Sequence, residues 1–310
     1  MGNKIGVGFG SFPFESIKTF RRWLDGCEDG GIDSIWQSDR ILSKQPYHEP
    51  LTLLSVVAGA TERLKIGMNA VVLGFRDPVN FARQCASLDV LSEGRLLPVV
   101  GVGRGDSPEW TNTGRSSKGR GARANEALEI ITRLWCEESV TFEGEHYQVR
   151  DATITPRPIQ NPLPIWIGGS SPAAIRRTVR YGTGWLAPLQ GPEEAGKTVE
   201  AIKTEARLQG REIPNDHYGA SILFRLDAGK AGKADTVESD FGKGQPAAVR
   251  ERLAKMTVVG DGDAFLERVA QYNAVGVDKF VAIPLARNEG ELLEQTQLLD
   301  REVIPGLASL

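Results

Sequence analysis

Anion binding is the first chemistry that the sequence offers. In residues 165–177, IWIGGSSPAAIRR, a β-prone run meets Gly168-Gly169-Ser170-Ser171, then Pro172 and an alanine-rich stretch ending in Arg176 and Arg177. Two glycines let a backbone approach a ligand closely, and a helix starting behind them aims unpaired N–H groups at it. Ser171 as N-cap with Pro172 in the first helical position marks that start. Two serine hydroxyls and the helix dipole then favour a phosphate. A plain strand-to-helix turn accounts for the same residues.

Acid–base chemistry is thinly represented. Asp39 and Arg40 follow one predicted strand, Asp106 follows another, and His48-Glu49 stand at the edge. Asp39 reads either as a reacting carboxylate or as one that braces a loop, and Arg40 either as a ligand contact or as a solvated residue. The three histidines, His48, His146 and His217, form no His-x-His or His-Glu-x-x-His pair, so no metal site is expected. Lys4, Lys65 and Lys279 stand at strand starts, which disfavours a Schiff-base lysine, and no Gly-x-Ser-x-Gly elbow occurs. A site so sparse implies that a cofactor brings the reactive chemistry.

The glycine patterns Gly6-Val7-Gly8-Phe9-Gly10 and Gly101-Val102-Gly103-Arg104-Gly105 do not continue into a dinucleotide fingerprint. Pro13 obstructs a helix after the first, and DSPEWTNTG after the second is loop chemistry. They read instead as strand positions where backbone or ligand comes close, as a flat ring lying over the strand ends would require.

The elements that must position these residues alternate along the chain. Strands are expected at Lys4–Phe9, Ser34–Gln37, Leu64–Leu73, Leu96–Val102, Pro164–Ile167, Gly184–Ala187, Tyr218–Leu226 and Lys279–Ile283, each followed by a helical pattern. In Ser16–Asp29, for example, Ile17, Phe20, Leu24 and Cys27 share one face. Eight such units fit an α/β fold of the closed (β/α)₈ barrel type, with chemistry at the C-terminal strand ends. A period-two stretch near 139–150 reads as a hairpin insertion, and a polar, glycine-rich stretch near 228–260 as a longer, mobile one. Arg225 and Arg287 join the candidates at the strand ends. Tyr47, Trp110 and Phe241 are candidate pocket walls, with packing as the alternative for each.

A net charge of −3 with no basic run excludes an electrostatic footprint for nucleic acid, and no apolar run reaches membrane-spanning length. Cys27, Cys85 and Cys136 are dispersed and lie on apolar helix faces, which reads as core packing in a reducing cytoplasm.

The segments GIDSIWQSDR, RLKIGMNAVVLGFRDPVNFARQCASLDVLSEGRL, VVGVGRGD, ESVTFEGEHYQV, RPIQNPLPIWIGGSSPAAIRRTVRYGTGW and VVGDGDAFLERV, in this order, resemble the bacterial luciferase-like superfamily of flavin-dependent oxidoreductases, which are (β/α)₈ barrels. The resemblance implies one barrel domain over 1–310 and a cofactor that is either reduced FMN, used with O₂ in monooxygenation, or coenzyme F420, used in hydride transfer. It implies a non-prolyl cis peptide at the strand-three end, Met68-Asn69-Ala70, bulging behind the flavin ring, with Asn69 and Ala70 as cofactor contacts. Gly103 to Asp106 then lie beside the ring and its ribityl chain, and Gly168, Gly169, Ser170 and Ser171 around the phosphate. Asp39 and Arg40 match a catalytic pair at the reaction centre, with Asp39 orienting Arg40. F420 dehydrogenases of the group often carry histidine where Arg40 stands, and arginine exchanges no proton near neutral pH. A small organic substrate, a flavin reductase as supplier of FMNH₂ and a homodimer complete what the resemblance implies. A flavin-binding protein without catalysis is the alternative of another class.

Overall fold

The computed structural model describes residues 3–226, 243–244 and 246–310. In chain order its strands are β1 (Lys4–Phe9), β2 (Ser34–Gln37), β3 (Lys65–Met68), β4 (Val71–Val72), β5 (Leu96–Leu97), β6 (Val99–Gly101), β7 (Val140–Glu143), β8 (Gln148–Ala152), β9 (Trp166–Gly168), β10 (Gly184–Ala187), β11 (Tyr218–Leu226), β12 (Thr257–Gly260) and β13 (Lys279–Pro284). Pairing in the main sheet runs β4-β6-β9-β10-β11-β13-β1-β2-β3-β5, all parallel. Its two ends are joined along the chain, because β4 continues β3 and β6 continues β5. The sheet therefore curls round on itself as the expected barrel.

Two expected strands are broken, each for a local reason. Leu64–Leu73 is divided into β3 and β4 at a cis peptide between Asn69 and Ala70. Leu96–Val102 is divided at Pro98, which has no N–H to give to a ladder. One strand escaped the sequence reading. Thr257–Gly260, inside the expected 228–260 insertion, pairs in parallel with the end of β11 as an added strand. It follows the helix Ala247–Lys255; residues 227–242 and 245 of that expected insertion, Phe241 among them, lie outside the described residues.

Helices follow the strands with the signals read from sequence. Ser16, Asp77 and Ser171 each accept a hydrogen bond from the backbone N–H three residues on, and Pro78 and Pro172 open their helices. Ile17 departs from its expected face: it begins its helix half exposed, while Phe20, Trp23, Leu24 and Cys27 pack inward. Cys85 is buried as expected, but Cys136 ends the helix Arg120–Cys136 in solvent. The hairpin β7–β8 forms as expected, and Glu126 accepts the amides of Glu145, His146 and Tyr147 at its turn.

Inside the barrel, Trp36, Val99, Trp166, Leu186 and Val281 form one buried cluster. Glycines on neighbouring strands make room for the two indoles. A Cβ on Gly67 would stand 2.3 Å from the Trp36 ring, and one on Gly184 would stand 2.4 Å from Trp166 Nε1. Gly6 and Gly8 are held small by close neighbours too: a Cβ on Gly6 would strike Ser34 and Trp36 Nε1, and one on Gly8 would strike Val281. The ring that those glycines admit is the protein's own.

Candidate functional site

At the C-terminal end of the strands the barrel is no longer filled. A Cβ on Gly101 would meet nothing within 4 Å, and one on Gly168 only the Val100 carbonyl at 3.7 Å and the Ala70 Cβ at 3.8 Å. The register Val100↔Ile167 sets these two glycines side by side at the ends of β6 and β9. Ala70, after the cis bond, forms the back of the space. Asn69 points across the barrel, its Nδ2 donating to Ser221 Oγ at 3.1 Å. Sequence reasoning singled out Asn69, Ala70 and Gly168; it took Gly101 only as part of a pattern and missed Ser221, which no spacing distinguishes from a core serine.

The loop expected to hold a phosphate opens from the same edge. Gly169 has φ +122°, a backbone that disfavours side chains, and its carbonyl accepts from Trp185 Nε1 at 2.7 Å. Ser171 caps the helix Pro172–Tyr181, accepting from Ala174 N–H at 3.2 Å, and Ser170 is exposed. Gly103, with φ +69°, packs against Val72, and its carbonyl accepts from Arg120 Nε at 3.3 Å. Arg177 is buried and committed to Asn125 Oδ1 and the Gly121 carbonyl, so it ties the two helices that start here. Asp106 is not drawn in: its side chain is 70 % exposed and paired with Arg104 at 2.8 Å.

Asp39 and Arg40, read as a pair, part company. The Asp39 side chain is 5 % exposed and accepts from Val72 N–H and from Arg76, both at 3.2 Å. Burial raises its pKa, and the charge of Arg76 with the Val72 amide offsets only part of that rise. Arg76 reaches on to Glu49 Oε1 at 2.8 Å. The carboxylate expected to orient Arg40 thus braces the strand-three bulge, its partner a residue that nothing in GFRDP marks. Arg40 is exposed, its guanidinium 5.5 Å from the centre of the Tyr47 ring. Tyr47 in turn packs against Gly10, which follows β1, so Arg40 lies near the C-terminal end of that strand.

Of the other candidates, Arg225 lies against Glu291 at 3.0 Å and the Leu285 carbonyl at 2.8 Å. Trp110 is packing: it is buried on Phe75 and Gly74, and its indole N–H bonds the Arg104 carbonyl. Lys279 lies at the opposite pole in contact with Asp33, as its place at a strand start implied. No group of three or more metal-ligating side chains occurs among the described residues, and no helix among them is long and apolar enough to cross a membrane.

Open space at Gly101 and Gly168 thus borders the loop 168–171 that opens the helix Pro172–Tyr181. The profile of the family described as luciferase-like monooxygenase matches residues 3–232. The chain belongs to that family. A protein of Microbacterium testaceum named F420-dependent glucose-6-phosphate dehydrogenase is 30 % identical over 317 residues, which cover 91 % of this chain and 90 % of that one. Among solved structures, an F420-dependent secondary alcohol dehydrogenase in complex with an F420–acetone adduct aligns with a TM-score of 0.82 at 17 % identity, covering 99 % of both chains. The monooxygenase RslO1 from Streptomyces bottropensis aligns at 0.80 with 21 % identity, covering 97 % of this chain and 99 % of that one. These structural likenesses show the fold, and the family match with the named relative makes the chain a luciferase-like oxidoreductase.

Proposed function

We propose that this luciferase-like oxidoreductase uses coenzyme F420 to move a hydride to or from a small organic substrate seated beneath Arg40, the whole chain 1–310 serving as one domain. The carrying observation is the empty space over Gly101, beside Gly168 and Ala70, at the C-terminal ends of β6 and β9. Gly168, Gly169, Ser170 and Ser171 would hold the cofactor's phosphate through amides and hydroxyls, with Gly103 flanking the tail. F420, when bound, supplies or accepts the hydride. Arg40 remains protonated, so its part is to hold a substrate oxygen and to stabilise negative charge there. Asp39, committed to Val72 and Arg76, keeps the wall behind the ring in place. The F420-dependent name of the Microbacterium testaceum relative supports this choice of cofactor.

Arg40 itself favours a second reading, reduced FMN with O₂ in monooxygenation, because no proton-exchanging group follows Asp39. A flavin reductase and a homodimer belong to that reading as further proposals. Titration of the purified protein with F420, FMN and FMNH₂, followed by fluorescence and native mass spectrometry, separates the two. Selective binding of F420 is expected; selective binding of FMNH₂ would move the assignment to the second reading, and no binding of any of them would end both. With the cofactor known, Arg40→Ala is expected to keep its affinity and to lose turnover by roughly 10²-fold, the scale of one electrostatic donor.

A further inference from the structure

We propose that Glu109 is a positioning residue whose carboxylate holds the loop after β2, and with it Arg40, over the mouth; the inference rests on the reading of Arg40 above. Glu109 Oε1 accepts from two successive amides, Ile41 N–H at 2.8 Å and Leu42 N–H at 3.1 Å, while Oε2 lies 3.1 Å from the Ser107 hydroxyl. Ile41 and Leu42 directly follow Arg40, so the planes of their peptides set the direction in which the Arg40 side chain leaves the backbone. The loop has no helix or strand at these positions. Two exposed aliphatic side chains, Ile41 at 45 % and Leu42 at 41 %, would otherwise drive it to collapse elsewhere.

The clip has a fixed base. Trp110, the next residue, is 3 % exposed, wedged against Phe75 and Gly74 and bonded through its indole to the Arg104 carbonyl. Glu109 therefore projects from the first position of a short helix, Glu109–Asn112, that Trp110 anchors by burial. An ionised carboxylate accepting from backbone amides makes a stronger bond than a neutral acceptor would. On either side of Ile41 and Leu42, Asp39 and Glu49 both meet Arg76. The segment carrying Arg40 is thus tied at both ends to the strand-three loop and in its middle to the strand-four loop, with the mouth between them.

The test follows amide hydrogen exchange at Ile41 and Leu42 together with the NMR order parameter of the Arg40 Nε–H group, in wild type, Glu109→Ala and Glu109→Gln. In Glu109→Ala, exchange at the two amides is expected to quicken at least tenfold and the order of Arg40 to fall, while the Trp110 indole resonance stays in place. Glu109→Gln keeps an acceptor oxygen and is expected to restore part of both. Cofactor affinity should change less than twofold, because positions 101, 103 and 168–171 are untouched. Unchanged exchange at Ile41 and Leu42, or an Arg40 side chain as ordered in Glu109→Ala as in wild type, would overturn the inference. A wild-type protein that binds no cofactor would overturn the functional reading instead, an outcome that the affinity titration reports apart from exchange and order.

Discussion

Arg76 is the residue on which the site's frame turns. Its guanidinium joins Asp39, buried and carrying the amide of Val72, to the half-exposed Glu49. Removing one partner of a buried ion pair leaves the other charge uncompensated, which costs far more than the pair contributes. Arg76→Met is accordingly expected to lower stability by about 3 kcal/mol, measured by urea denaturation, and to weaken cofactor binding because the bulge at 69–72 loses its brace. Equal denaturation midpoints for the variant and the wild type would refute this. The sequence pointed to Asp39 and Arg40 through their place after a strand, and it left open whether Asp39 reacts or braces. Its contact with Arg76 was not legible there, since Arg76 stands 37 positions along the chain from Asp39.

At the scale of the element, glycines do opposite things at the two levels of one barrel. Gly67 lies on β3 against the face of Trp36, so Gly67→Ala overpacks the interior and is expected to cost about 1–3 kcal/mol with cofactor affinity little changed in the folded fraction. Gly101 ends β6 with open space above it. Gly101→Leu is expected to leave the melting temperature close to wild type while weakening cofactor binding roughly tenfold or more, about 1.4 kcal/mol. Undiminished binding in Gly101→Leu would place the ring elsewhere. Both glycines follow a strand rhythm in sequence, and what decides between them, Trp36 beside Gly67 and open space at Gly101, lies away from their chain neighbours. The strand–helix alternation, the caps at Ser16, Asp77 and Ser171 and the hairpin were legible because each depends on residues a few positions apart. The breaks in the third and fourth strands have local causes too, at Asn69-Ala70 and at Pro98. The added strand Thr257–Gly260 was not legible, because it depends on what lies beside it in the sheet.

For the whole molecule, carboxylates at the pole opposite the mouth tie successive barrel units together. Glu28 accepts the amides of Glu62, Arg63 and Leu64, while Arg63 returns hydrogen bonds to carbonyls of Cys27, Glu28, Gly30 and Ile32. Burial pushes the Glu28 carboxyl upward, but the three amides and Arg63 outweigh it and hold the pKa below its ordinary value. Asp33 behaves alike: the charges of Lys279 and Lys65 overcome burial and lower it. The unfolded chain therefore binds protons at these groups at higher pH than the folded one does. Their contribution is present above the unfolded values near pH ~4 and is lost as pH falls through the folded ones. Asp39, raised by burial, acts in the opposite sense and favours the folded state as pH falls. Melting temperature is expected to drop between about pH 5 and pH 3, with a shallower drop in Glu28→Gln; identical slopes would contradict the assignment to Glu28.

By itself the sequence determined the order of strands and helices, the poverty of acid–base groups at the strand ends and the glycine-serine helix start of residues 168–172. Period, cap and turn chemistry are local, and so is the inventory of side chains. Tertiary structure decided which glycines face an indole and which face open space, that Asp39 serves Arg76, and that Glu109 reaches the loop behind Arg40. Those outcomes depend on closing the sheet, which brings side chains from distant strands within a few ångströms and fills one end of the barrel while leaving the other open.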